Sequence, residues 1–109
     1  DLDDTITRLI AYRDAGAEVL YAPGISDLNQ IEILVQAVGA PVNVLAFPGG
    51  PTLAELEEVG VRRVSTGGGP AKVAYGAALF SVRHLLSEGT AWGDYGFSGE
   101  DRDAALDDR

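Results

Sequence analysis

Cysteine is absent from this chain, and histidine occurs once, at His84. No disulfide framework, thiolate nucleophile or cysteine-based metal site is available. A His/Cys metal site within one chain is excluded, and a Ser-His pair depends on His84 alone. No apolar run reaches the roughly 18 residues that cross a bilayer, and no signal peptide is visible. Basic residues are scarce, with 8 Lys and Arg against 17 Asp and Glu, a formal net charge of −9. That balance argues against nucleic acid or an anionic membrane as the main partner, and the bland reading of the acidity is solubility. A cytoplasmic location is expected. Part of the excess lies near the end, at Asp94, Glu100, Asp101, Asp103, Asp107 and Asp108.

What is present is ordinary for a globular domain: 46% hydrophobic and 23% charged residues over a length of 109. That length suits one domain with a modest core. The first residue is Asp rather than Met, so the chain reads as a piece of something longer.

Three segments repeat one pattern: GAEVLYAPG (16–24), GAPVNVLAFPGG (39–50) and GVRRVSTGGG (60–69). Each opens on Gly, runs through a β-rich stretch and ends in Gly. The openings recur at intervals of roughly 22 residues, one strand plus one helix plus two short loops. The intervening segments carry helix signals. Ile31, Leu34, Val35 and Val38 make one apolar stripe. Asp27 with Gln30 caps its start and Gly39 its end. Thr52 and Glu55 form a T-x-x-E capping box after Pro51, and Leu53 and Leu56 are expected to be buried. The first helix is predicted over 3–15, with Ile6, Leu9, Ile10 and Arg13 along it and Asp1, Asp3 and Asp4 at the positive end of its dipole. The last is predicted from about Pro70 to Glu88, packed closely through Ala71, Ala74, Ala77 and Ala78 and stopped by Gly89.

The order α-β-α-β-α-β-α implies a parallel α/β sheet with right-handed crossovers. Three strands cannot close a barrel, and a full (β/α)₈ barrel needs about 250 residues. The expected fold is half of such a barrel over 1–89, followed by an acidic, Gly-rich tail or docking arm over 90–109. The tail is either disordered or docked on a partner through Trp92, Tyr95 and Phe97. A complete flavodoxin-like domain fails on strand count. Half a barrel leaves strand edges and an apolar face unpaired, so self-association is expected.

Ligands of parallel α/β folds sit at the C-terminal ends of the strands. Those ends are Ala22-Pro23-Gly24, Ala46 to Gly50, and Ser65 to Pro70. None carries a carboxylate, Lys or His. They offer backbone N–H donors and small hydroxyls, which suit a phosphate or carboxylate and supply no general base or metal ligand. The run Gly67-Gly68-Gly69 before a helix is either an anion-cradling loop or a steric turn. It is not a P-loop, because G-x-x-x-x-G-K-[ST] is absent. Lys72, in the first turn after it, has the charge to face an anion. Ser65 and Thr66 are structural hydroxyls or ligand contacts. Asn43 shares a face with Leu45 and Phe47, as a barrel-interior pair or a contact below a ligand. Glu18 and Arg63, at the opposite strand ends, are expected to pair with each other. His84 lies deep in the last helix, in a surface or packing role.

The stretches GAEVLYAPG and APVNVLAFPGGPTLAELEEVGVRRVSTGGGPAKVAYGA resemble the C-terminal half of the isocitrate lyase/phosphoenolpyruvate mutase superfamily, its small bacterial phosphonomutase-like or oxaloacetate-decarboxylase-like members above all. The likeness covers about residues 2–90. It implies a (β/α)₈ barrel to which this chain supplies the sixth to eighth strands. It implies a Mg²⁺-dependent lyase or mutase acting on small anionic 2-oxo or 2-hydroxy acids, cleaving or forming C–C or P–C bonds. Homo-oligomers, commonly tetramers exchanging the last helix, are also implied. The acidic metal ligands and the cysteine-bearing lid belong to the N-terminal half, outside this chain. The lyase members' glutamate and asparagine at the ends of the sixth and seventh strands correspond to Pro23 and Leu45 here, which argues against a true isocitrate or methylisocitrate lyase. What carries over is a substrate-facing rim of Asn43, Gly49, Gly50, Ser65, Thr66, Gly67, Gly68 and Gly69, with no catalytic or metal residue. The fragment alone is expected to be inactive. The alternative is a non-catalytic half-barrel that binds an anion or assembles with itself.

Overall fold

The computed structural model describes residues 1–90 and 98–107. Trp92, Tyr95 and Phe97 lie outside the described residues. The chain forms two compact units, Asp1–Pro70 and Ala71–Arg109.

The first unit alternates helix and strand: α1 (Leu2–Asp14), β1 (Leu20–Tyr21), α2 (Leu28–Val38), β2 (Val42–Leu45), α3 (Leu53–Glu58) and β3 (Arg63–Ser65). The strands pair in the order β1-β2-β3, all parallel. Tyr21 lies opposite Asn43, Asn43 opposite Arg63, and Leu45 opposite Ser65. This is the partial (β/α) barrel architecture that the repeat implies.

Local chemistry sets the helix ends. The Asp27 carboxylate accepts from Gln30 N–H at 2.9 Å, and Gly39 closes α2 at φ 61°. Only a residue without Cβ adopts that left-handed conformation cheaply. Arg13 adds a link from outside the helix, donating to the Val38 carbonyl at 2.7 Å. A cation at the negative end of α2 is favourably placed, and the bond ties α1 to α2. At α3 the Thr52/Glu55 capping box is complete.

Leu9, Leu20, Ile31, Leu34, Val38, Val42, Val44, Leu56 and Val61 form the core between the helices and one face of the sheet. The α2 stripe is buried as its period requires, with Val35 half-buried at its edge. Leu53 departs from expectation: it is 67% exposed, whereas Leu56 is 1% exposed. The i, i+3 spacing puts both on one side of the helix, but Leu53 is the first residue of a helix of under two turns and is left uncovered there. Val61, just before β3, fills the place beside Leu56.

In the second unit, α4 begins in the last residues of the first and runs over Gly69–Glu88, with Gly89 at φ 70° after it. None of its residues is buried, Ala71, Ala74, Ala77 and Ala78 included. The close packing expected of those alanines is therefore not made. His84 stacks on Phe80 one helical turn away, ring centroids 6.2 Å apart, a packing role within the helix. A further helix, α5 (Gly99–Asp107), follows in a stretch with no periodic pattern. Its start is the missed signal S-x-x-D: Asp101 N–H donates to Ser98 Oγ at 3.0 Å, and Ser98 Oγ donates back to the carboxylate at 2.6 Å. The Ser98 hydroxyl and N–H hold the Asp101 carboxyl below its usual range.

Candidate functional site at the strand ends

The strands are parallel, so their C-terminal ends lie along one edge of the sheet. Two turns follow β2 and β3. In the first, Gly50 N–H donates to the Phe47 carbonyl at 3.1 Å. Pro48 and Gly49 are the central residues, Gly49 at φ 82°. Pro followed by a left-handed Gly is the type II pattern. A Cβ at Gly50 would stand 2.8 Å from the far end of the exposed Phe47 ring, which would have to swing aside to admit it. In the second turn Gly69 N–H donates to the Thr66 carbonyl at 2.9 Å, with Gly67 at φ 52°. A Cβ at Gly67 would touch Leu45 Cδ1 at 3.4 Å. Gly68 and Gly69 have neither a left-handed φ nor any atom within 4 Å of an added Cβ. Positive φ in this turn thus falls on Gly67 rather than Gly68.

Below the second turn lies a polar row. Asn43 is 4% exposed, and a buried amide must be hydrogen-bonded. Arg63 Nη1 donates to Asn43 Oδ1 at 2.9 Å, and Asn43 Nδ2 donates to Ser65 Oγ at 3.0 Å. The structure thus joins two rim residues expected from the sequence, Asn43 and Ser65, and adds Arg63. The expected Glu18–Arg63 pair is not made among the described residues. Arg63 lies on β3 beside β2, whereas Glu18 precedes β1 at the far side of the sheet. The signal for Arg63 was its two-residue spacing from Ser65, which puts both on one face of the strand. The spacing says nothing of which residue of β2 lies opposite.

No group of three or more His, Cys, Asp or Glu able to hold a metal occurs among the described residues. The strand ends themselves are neutral, and magnesium is held through carboxylates, water and substrate oxygens. The described residues at the strand ends do not fit a Mg²⁺ site. The Glu55 carboxyl is held below the usual range by the Thr52 N–H and then by its hydroxyl. It is committed to capping α3. No helix among the described residues is long and apolar enough to cross a membrane.

Known proteins match this architecture. The phosphoenolpyruvate phosphomutase family model matches residues 1–86. A protein of Mycobacterium tuberculosis strain H37Rv, itself uncharacterized, is 40% identical over 84 residues, covering 77% of this chain and 31% of that protein. Oxaloacetate decarboxylase of Pseudomonas aeruginosa strain PAO1 is 32% identical over 91 residues, covering 81% of this chain and 30% of the enzyme. Among solved structures, a Burkholderia cenocepacia J2315 protein classed provisionally as a lyase/mutase superposes with TM-score 0.85 at 49% identity, over 96% of this chain and 40% of that one. Oxaloacetate acetylhydrolase bound to the inhibitor 3,3-difluorooxalacetate superposes with TM-score 0.77 at 25% identity, over 90% of this chain and 35% of that one. This chain spans 31% of the length of the first of these relatives. From the match over residues 1–86 and the shared parallel architecture, the chain belongs to the phosphoenolpyruvate phosphomutase family, within the phosphoenolpyruvate mutase/isocitrate lyase superfamily.

Proposed function

We propose that this chain is the substrate-binding rim of a lyase or mutase that makes or breaks a C–C or P–C bond in a small 2-oxo or 2-hydroxy acid. The observation that carries the reading is the chemistry of the strand ends. Neutral hydroxyls and glycine turns lie there, with two glycines, Gly68 and Gly69, that nothing among the described residues requires. Open space beside a glycine lets an anionic ligand approach the backbone closely. Oxaloacetate decarboxylase among the relatives, and a structural neighbour that binds 3,3-difluorooxalacetate, support a dicarboxylate-sized 2-oxo acid.

The rim comprises Asn43, Gly49, Gly50, Ser65, Thr66, Gly67, Gly68 and Gly69. Ser65 and Thr66 offer hydroxyls, and the Gly67–Gly69 turn offers room beside its backbone, the Gly69 N–H itself being given to the Thr66 carbonyl. These groups bind and orient a carboxylate; none transfers a proton. A magnesium ion supplies Lewis-acid stabilisation of substrate oxygens in enzymes of this chemistry, and its ligands would come from outside this chain's residues. The exposed apolar side chains of α4, among them Val73, Tyr75, Phe80 and Leu86, suit assembly with further copies of the chain.

The test is turnover of oxaloacetate by the whole gene product with and without Mg²⁺, read as pyruvate formed, beside calorimetric binding of 3,3-difluorooxalacetate. Magnesium-dependent turnover supports the reading. Binding without turnover of any 2-oxo acid would favour the non-catalytic binding module instead. Neither binding nor turnover would overturn both.

A further inference from the structure

The polar row beneath the second turn has a direction. Arginine only donates, so Asn43 must present Oδ1 to Arg63 and therefore Nδ2 to Ser65. Ser65 Oγ thus spends an acceptor position on the amide. Its single proton is not used in that bond and is left to be donated elsewhere. Arg63 and Ser65 are the first and last residues of β3, with Asn43 opposite Arg63 on β2. The row therefore runs along the sheet toward the C-terminal ends of the strands, donor to acceptor at each step. Bonds aligned in this way polarise one another.

We propose that Arg63 and Asn43 are positioning residues that orient the Ser65 hydroxyl as a hydrogen-bond donor to an anionic group at the strand ends. An unoriented serine hydroxyl donates or accepts as its surroundings require. Here acceptance from Asn43 removes that choice. The row carries the polarity of the Arg63 cation to the rim and leaves the cation itself at the other end of the strand. The rim then holds a carboxylate through directed neutral donors, not an ion pair. This rests on the reading that the strand ends bind an anionic 2-oxo acid.

The test is a double-mutant cycle on the whole gene product, with affinity for 3,3-difluorooxalacetate measured by calorimetry and folding checked by melting temperature. Ser65→Ala removes the donor and should weaken binding by about tenfold or more, the scale of a lost hydrogen bond to a charged group. Asn43→Asp keeps the shape and gains an ion pair with Arg63, so the fold should persist. A carboxylate only accepts, so it turns the Ser65 proton inward and should weaken binding comparably. Adding Ser65→Ala to Asn43→Asp should then cost nothing further. If Asn43→Asp acted only through the repulsion of its new charge, the two losses would multiply, and that result would overturn the proposal. Arg63→Met, which frees the amide to flip, should weaken binding, and Arg63→Lys should restore most of it. Equal weakening in both would count against the row. If Ser65→Ala binds as the unmodified protein does, the inference fails while the anion site stands. If the unmodified protein does not bind the probe, the site and the row fall together.

Discussion

The two glycine-rich turns, Phe47–Gly50 and Thr66–Gly69, look alike in sequence and are built for different reasons. In the first, each glycine answers to the chain itself. Gly49 takes a left-handed φ of 82°, and Gly50 lies against the Phe47 ring. The turn then leads into a helix closed by its own side chains, the Thr52 and Glu55 capping box. In the second, Gly67 alone has such a reason, at φ 52°. Gly68 and Gly69 stand in open space, and α4 follows Gly68, which has no side chain to cap it. One turn is internally complete. The other leaves room, and room beside a backbone is what a binding site needs.

That contrast breaks or sharpens under substitution. The largest effect on stability is expected at Gly67→Ala, at about 1–2 kcal/mol by chemical denaturation for a non-glycine residue in the left-handed region. Gly67→Asn should recover part of it, since Asn tolerates that region better. Gly50→Ala comes next, below about 1 kcal/mol, because the exposed Phe47 ring can swing away from the new Cβ. In a Phe47→Ala background the same substitution should cost almost nothing; an unchanged cost would show that the ring is not what Gly50 meets.

Acidification should act on the first turn's helix with a smaller effect. The Glu55 carboxyl titrates below its usual range because Thr52 donates to its charged form. Its contribution is therefore complete above the unfolded-state value and lost as pH falls through the lower, folded one. Amide exchange at the start of α3 should accelerate over that interval, and Glu55→Gln should abolish the pH dependence while keeping an acceptor for Thr52. The smallest change in stability is expected at Gly68→Ala, within about 0.5 kcal/mol, because its Cβ meets nothing. Its effect should appear instead in affinity for 3,3-difluorooxalacetate. A stability loss matching that of Gly67→Ala, with affinity unchanged, would return the whole run to a steric turn.

The alternation of elements was legible because its signals are local. Asp27 reaches Gln30, Thr52 reaches Glu55, and Gly39 and Gly89 take left-handed conformations, all within a few residues. The apolar stripe of α2 and the chemistry of the strand ends follow from periodicity and composition. A capping pair at Ser98 and Asp101 was equally local and was obscured by the surrounding Gly and Asp. The lack of acids at the strand ends needed no structure either.

Other features depend on strand order and register, which join residues some twenty positions apart. Nothing near Arg63 in the chain says that Asn43, and not Glu18, lies opposite it. Even over three residues the chain does not say that the Phe47 ring folds back over Gly50. Nor does the run Gly67-Gly68-Gly69 tell which of its members bears the positive φ. Residue types, caps and periods are properties of short segments, so the chain declares them as it is read. Partners and open space are properties of how segments meet, and only the folded sheet decides them.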